Sequence, residues 1–254
     1  MITKDDISAR EIRRQARERF AVAERLEAEY LRALRQLTRQ IDAIVKGMAP
    51  NGVVRNSIEL QNTLKNYSRA IEPWAKSVAE KMLTRIARKE EAVWFAMSKT
   101  MSRNLRQELL GAPVGELMRS FLEEQAKLIT SLPIDAANRV HELTLESMLD
   151  SSRSDYVARE ILKTGQVTES RAKLIARTEI ARTASGLTLT RAQHVGVTHA
   201  IWRTSGDGDV RESHKKMNGA VFLISAPPIV DGQPTYPGGI YNCRCWPEPI
   251  VEDI

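Results

Sequence analysis

Three side chains near the C-terminus could hold a metal: His214, Cys243 and Cys245. An imidazole and two thiolates are donors that zinc favours, usually four to a tetrahedron. Asp209, His199 or water could fill the fourth position. A Cys-x-Cys spacing is tighter than the Cys-x-x-Cys of most zinc sites. A second reading therefore stays open, in which the thiols pack and His214 hydrogen-bonds a turn. If zinc is held, a structural role fits better than a catalytic one. The Pro- and Gly-rich stretch 225–241 ahead of the cysteines would need a clamp. The same two residues are the chain's only cysteines. They sit too close for an ordinary structural disulfide, and the lack of others fits a reducing, cytosolic origin.

Ala176-Arg177-Thr178-Glu179 offers other chemistry, since an arginine and a glutamate can together handle a nucleotide. On a helix, however, positions i and i+2 point to different faces. Arg177 and Glu179 are expected to tie the helix to different neighbours, Arg177 for example to the turn near Asp209. The chain has no phosphate loop, no Ser-His-Asp order and no His-Glu-x-x-His. A structural protein is the first reading. The alternative is a metal-dependent or nucleotide-handling enzyme centred on Arg177, Asp209, His214, Cys243 and Cys245.

Charge adds a third possibility. The formal net charge is +6 and the pI near 9.4. Residues 1–110 hold 22 Lys+Arg against 14 Asp+Glu, whereas 111–150 hold 3 against 7. Arg13, Arg14, Arg17 and Arg19 cluster in one segment, and Lys81, Arg85, Arg88 and Lys89 in another. The second set has helical spacing and so shares a face. Such a stripe is the electrostatic footprint of phosphate contact. It is equally the solvated face of a helix, or a contact for an acidic protein. No groove-reading motif or stacking platform accompanies it.

The elements that must position these residues follow from periodicity. Residues 6–48 read as one helix whose apolar line is Ala16, Phe20, Ala23, Tyr30, Leu34, Leu37, Ile41, Ile44 and Met48. Glu27 interrupts that line, with Leu26 beside it. Pro50-Asn51-Gly52 ends the helix. A second helical stretch runs from Asn56 to about Leu110, broken or kinked at Pro73, with Trp74, Val78, Met82, Ile86, Val93, Met97, Met101 and Leu105 as its line. The two form a helical hairpin. Shorter helices are expected at 115–132, 135–149, 155–163 and 169–194, each bounded by a breaker: Pro133, Ser151-Ser152 or Gly165. Beyond Gly196 the pattern changes. Residues 198–203 and 220–224 read as strands, 225–241 as an ordered loop, and the residues after Cys245 as a short tail.

The expected fold is α+β and predominantly α. A long N-terminal helical hairpin and bundle (residues 1–132) precede a small α+β module with a short sheet (133–254). The N-terminus is polar, unlike a signal peptide. No apolar run reaches the roughly 18 residues that span a bilayer, so no membrane partner is expected.

The blocks of the module occur in a fixed order. Ala176-Arg177-Thr178-Glu179 is followed by Trp202, then Asp209-x-Arg211-x-x-His214-x-x-x-Asn218-Gly219, then a Pro-rich stretch and Asn242-Cys243-Arg244-Cys245. In order and spacing this set resembles the Mu F-type minor head protein family of tailed bacteriophages, over about residues 168–247. Ile240-Tyr241 departs from the family, where a polar residue or His often precedes the Asn-Cys-Arg-Cys block. The resemblance makes Arg177, Glu179, Trp202, Arg211, Asn218, Gly219 and Asn242 structural motif residues. It implies a structural head protein acting in head morphogenesis and DNA packaging. Its partners would be the portal, the major capsid or scaffold protein, and packaged DNA bound without sequence preference. Its place would be the virion head near the portal, assembled in the bacterial cytoplasm.

Overall fold

The computed structural model describes residues 4–97, 112–149 and 154–250. Its helices are α1 (Lys4–Met48), α2 (Ser57–Ala70), α3 (Glu72–Met97), α4 (Val114–Leu149), α5 (Ser154–Leu162), α6 (Thr164–His194) and α7 (Glu212–Met217). Its strands are β1 (His199–Arg203), β2 (Val221–Leu223), β3 (Ile229–Val230), β4 (Gln233–Pro234) and β5 (Trp246–Pro249). The fold is α+β and predominantly α. No helix among the described residues is long and apolar enough to cross a membrane. Two compact units form: Met1–Ala28 with Met82–Phe121 and Arg177–Ile254, and Glu29–Lys81 with Leu122–Ala176.

The second unit is all helical. On α1, Tyr30, Leu34, Leu37 and Ile41 are buried, as the alternating spacing of four and three predicts. Further on, Val45 and Ala49 replace the expected Ile44 and Met48, which are only half-buried. A straight helix of about 3.6 residues per turn drifts away from a seven-residue repeat. Ala16 and Phe20 of that line fall outside the residues whose side chains are described, and Met101 and Leu105 outside the described residues altogether. The helix ends in a 3-10 turn, Pro50–Gly52. Asn56 then caps α2, its side-chain oxygen accepting the Glu59 N–H at 3.0 Å. Pro73 lies in the first turn of α3, where its missing N–H goes unneeded.

Two expected helix boundaries are corrected. Pro133 does not end a helix but lies inside α4. Ile129, Leu132, Ala136, Ala137 and Val140 form one buried face through it. Burial of that face outweighs the lost hydrogen bond, and Ser68 donates to the nearby Thr130 carbonyl at 2.7 Å. α6 starts at Thr164, ahead of the expected residue 169. Gly165 therefore belongs to its first turn, where a Cβ would come within 2.2 Å of the Asp42 carboxylate.

The other unit holds the sheet, whose strand order is β2-β1-β5, antiparallel throughout. Ala200 and Trp202 of β1 face Pro249 and Pro247 of β5, and Ala200 also faces Phe222 of β2. All five are buried, and together they form one side of the sheet. The segment read as a tail is thus strand β5. Its prolines lack a donor but occupy an edge strand, where none is needed. Within the stretch read as a loop, β3 and β4 form a hairpin across Asp231-Gly232. Both turn residues are left-handed, with φ of 54° and 80°.

Gly52 has a φ of 78°, and a Cβ on it would meet the Ala158 carbonyl oxygen at 2.2 Å. Gly47, inside α1, has nothing within 4 Å of the place a methyl group would take. Gly52→Ala should therefore lower stability by at least about 2 kcal/mol, from backbone strain and overpacking combined. Gly47→Ala should raise it by about 0.5–1 kcal/mol. Urea-unfolding midpoints of the two variants check this. Equal shifts would mean that the turn does not press on α5.

Candidate functional site

The motif blocks meet along one face of α6. Thr178, Ala181 and Ser185 follow one another at helical spacing on that face. Segment 235–245, which has turns but no strand or helix, is held there. The Asn242 N–H donates to the Thr178 hydroxyl at 3.0 Å. Gly238 lies so close that a Cβ would be 2.9 Å from the Ala181 carbonyl oxygen. The Ser185 hydroxyl donates to the Pro237 carbonyl at 2.5 Å. Small side chains at these positions let two backbones approach, and the hydroxyls satisfy groups that the loop itself cannot pair.

Arg177 completes this grip. Its guanidinium donates to the Asn242 side-chain oxygen at 2.9 Å and to Glu27 at 3.2 Å. It thus engages Asn242 and Glu27, whereas the Asp209 turn suggested as an example is met by Arg244. Glu27, the residue that interrupts the apolar line of α1, is accounted for by the same pair. Glu179 points elsewhere, as its offset of two predicts. It is 2% exposed, with its carboxylate 3.9 Å from Arg182.

The Asp-x-Arg-x-x-His block folds as a turn followed by α7. Asp207 accepts the Asp209 N–H at 3.0 Å and closes the turn. Arg244 crosses to it, donating to Asp207 at 2.7 Å and to Asp209 at 3.3 Å. Arg211 donates to the Tyr241 carbonyl at 2.9 Å. After α7, the Asn218 side chain accepts the Thr204 N–H at 3.1 Å. Gly219, with φ of 88°, turns the chain so that its N–H donates to the Trp202 carbonyl at 2.8 Å.

The alternation of Cys243, Arg244 and Cys245 sends Arg244 to the aspartate turn and both thiols into the core. Cys243 and Cys245 are 3% and 4% exposed, and His214 is 2% exposed. The His214 Nδ1 lies 3.3 Å from the Cys243 sulfur and 3.5 Å from the Cys245 sulfur. Trp202 presents its ring to the imidazole edge-on, with centroids 5.4 Å apart. The opposite nitrogen, Nε2, is 3.4 Å from Asp231 but lacks hydrogen-bond geometry. A hydrogen bond from Cys245, with N–H groups of Cys245 and Gly238, holds the Cys243 thiol well below its ordinary pKa. The same thiol–thiol bond, with burial, pushes Cys245 up.

His214, Cys243 and Cys245 are therefore brought together, while Asp209 and His199 lie apart from them. Asp209 is held by Arg244, and His199 is exposed, its Nδ1 2.9 Å from the Thr198 hydroxyl. The residue beside the cluster that sequence reading missed is Asp231. Lys81, Arg85, Arg88 and Lys89 are all placed on α3, and all four are exposed. The side chains of Arg13, Arg14, Arg17 and Arg19 lie outside those described.

The geometry defines a small α+β module that is backed by a helix and closed by its own motifs. Residues 138–247 match the family model described as Phage Mu protein F like protein. The match begins earlier than the motifs do and takes in part of α4 and all of α5. Over 140 residues, 55% of this chain, the sequence is 29% identical to an uncharacterized protein of Haemophilus influenzae. That alignment covers 31% of the relative, so the chain spans about a third of the length of the curated protein it matches. No solved structure matches the chain.

Thr178 is 3% exposed and supplies the acceptor for the Asn242 N–H. Thr178→Val keeps the shape and removes the acceptor for the part-buried Asn242 N–H, at a cost of about 0.5–1.5 kcal/mol. Thr178→Ser keeps the hydroxyl and should lose less. Thermal unfolding of the pair tests the loop's dependence on this bond, which equal losses would contradict.

Proposed function

We propose that this chain is a structural minor head protein of a tailed bacteriophage, acting in head morphogenesis and DNA packaging. The observation that carries this reading is the match of residues 138–247 to the Mu F-like family. The geometry supports a non-catalytic role. Arg177, Arg211, Asn218, Asn242 and Arg244 all direct polar groups at other parts of the module. In this reading residues 1–132 are a helical docking arm and 133–254 the Mu F-like module. The arm engages the portal and the major capsid or scaffold protein, and the protein resides in the head near the portal.

Quantitative mass spectrometry of purified particles from the encoding phage or prophage tests this. The chain should be present at a few copies per particle, and should stay with the heads when the DNA is released. Abundance in the producing cells with absence from particles would sink the structural reading.

The basic face formed by Lys81, Arg85, Arg88 and Lys89 supports contact with packaged DNA. Duplex binding should be indifferent to sequence and should weaken steeply with salt. Replacing all four with Glu should reduce the salt slope by roughly one for each phosphate no longer neutralised. Fluorescence anisotropy at several salt concentrations measures it. An affinity that is flat with salt would assign this face to protein or to solvent.

A further inference from the structure

We propose that His214 through Nδ1, with Cys243 and Cys245 through their sulfurs, binds a structural zinc ion, and that Asp231 orients the imidazole from its far side. This inference stands on the donor geometry and does not rest on the head-protein reading.

The donor atoms of the three residues all lie within 4.8 Å of one another. Zinc–sulfur and zinc–nitrogen bonds of about 2.3 and 2.0 Å in a tetrahedron set a nitrogen–sulfur edge near 3.5 Å. The two edges measured are 3.3 and 3.5 Å. Both nitrogen–sulfur edges thus already match a zinc site, and the sulfur–sulfur edge lies within 4.8 Å.

The imidazole orientation points the same way. Nδ1 faces both sulfurs, and Nε2 faces the Asp231 carboxylate at 3.4 Å. Metal-bound histidines commonly give their other N–H to a carboxylate, which fixes the tautomer and the ring. Here Nε2 is fully buried and has no hydrogen-bond partner among the described residues, so a small tightening toward Asp231 would satisfy it. The Cys245 N–H donates to the Cys243 sulfur at 3.4 Å, an interaction that favours a thiolate. The two aspartates differ in what they meet: Asp231 adjoins the cluster, while Asp209 is engaged by Arg244.

The architecture gives the ion a purpose. Its ligands come from α7 and from the closing segment, and Asp231 comes from the β3–β4 hairpin. These are short elements with few backbone ladders, and a shared ion would cross-link them in the core, beneath the bonds that Arg211 and Arg244 make nearer the surface. Water takes the fourth corner.

The full chain should be purified under reducing conditions and its metal measured by mass spectrometry, with about one zinc per chain expected. Replacement by cobalt should give thiolate-to-cobalt charge transfer and the visible bands of a tetrahedral ion. His214→Gln, Cys243→Ser and Cys245→Ser should each abolish stoichiometric binding. Asp231→Asn should weaken it by about 10- to 100-fold, while Asp209→Asn should leave it unchanged. A wild-type protein that takes up neither zinc nor cobalt overturns the proposal. So does a His214→Gln variant that keeps full affinity. Metal loss in Asp209→Asn equal to that in Asp231→Asn would overturn the role given to Asp231. Should a cysteine variant fail to fold, the cobalt spectrum of the wild-type protein still decides.

Discussion

A segment without regular secondary structure must find partners for its backbone polar groups, and the closing segment 235–245 is such a segment. The α6 face answers that requirement. Thr178 takes the Asn242 N–H, Ser185 takes the Pro237 carbonyl, and Ala181 leaves room for Gly238. Once Asn242 is held in its left-handed conformation, at φ of 61°, the direction of the following residues is set. Cys243 and Cys245 enter the core and Arg244 leaves it. The meeting of both sulfurs with His214 is thus downstream of a backbone constraint imposed by the helix.

The charges in this unit follow the same logic. Glu27 sits in an otherwise apolar line, and its side chain and that of Arg177 are 17% and 25% exposed. A carboxylate so placed would be costly alone. Arg177 neutralises it and uses its remaining donors on Asn242. One interruption in the α1 pattern therefore helps to secure the closing segment. Removing either partner would leave the other charge half-buried and unpaired, which is a larger penalty than the pair is worth as a bond.

Much of this is legible in the residues. The α1 line through Tyr30, Leu34, Leu37 and Ile41, the break at Pro50–Gly52, and strands β1 and β2 follow from periodicity and turn chemistry. The convergence of His214 with the two cysteines is one of the two arrangements that residue type allows. What the residues hide depends on tertiary context. Pro133 reads as a stop until the buried face around it is seen. Pro247 and Pro249 mask β5, because proline argues against a strand unless the strand is known to lie at an edge. Asp231-Gly232 is a strong local signal for a two-residue hairpin. The prolines around it obscure that signal, and with it the carboxylate nearest the His214 cluster. Ala75 and Ala79 of α3 are fully buried, whereas the larger Trp74 and Val78 are half-buried. An apolar line drawn through the largest residues can therefore miss the centre of a face by one position.

The way the motif residues are engaged bears on what kind of work the module does. A catalytic arginine must offer its guanidinium to a substrate, and a catalytic carboxylate must be poised at a reacting atom. Arg177, Arg211 and Arg244 instead direct donors to Asn242 and Glu27, to the Tyr241 carbonyl, and to Asp207 and Asp209. Each bond joins one motif block to another block or to a helix behind it. A set of residues arranged this way preserves the relative placement of short loops. Preserving placement is useful to a protein whose outer faces must present a fixed surface to neighbours in an assembly. On this argument the recognisable motifs are the internal frame, and the DNA contact proposed above would use a surface that carries no motif, the basic face of α3.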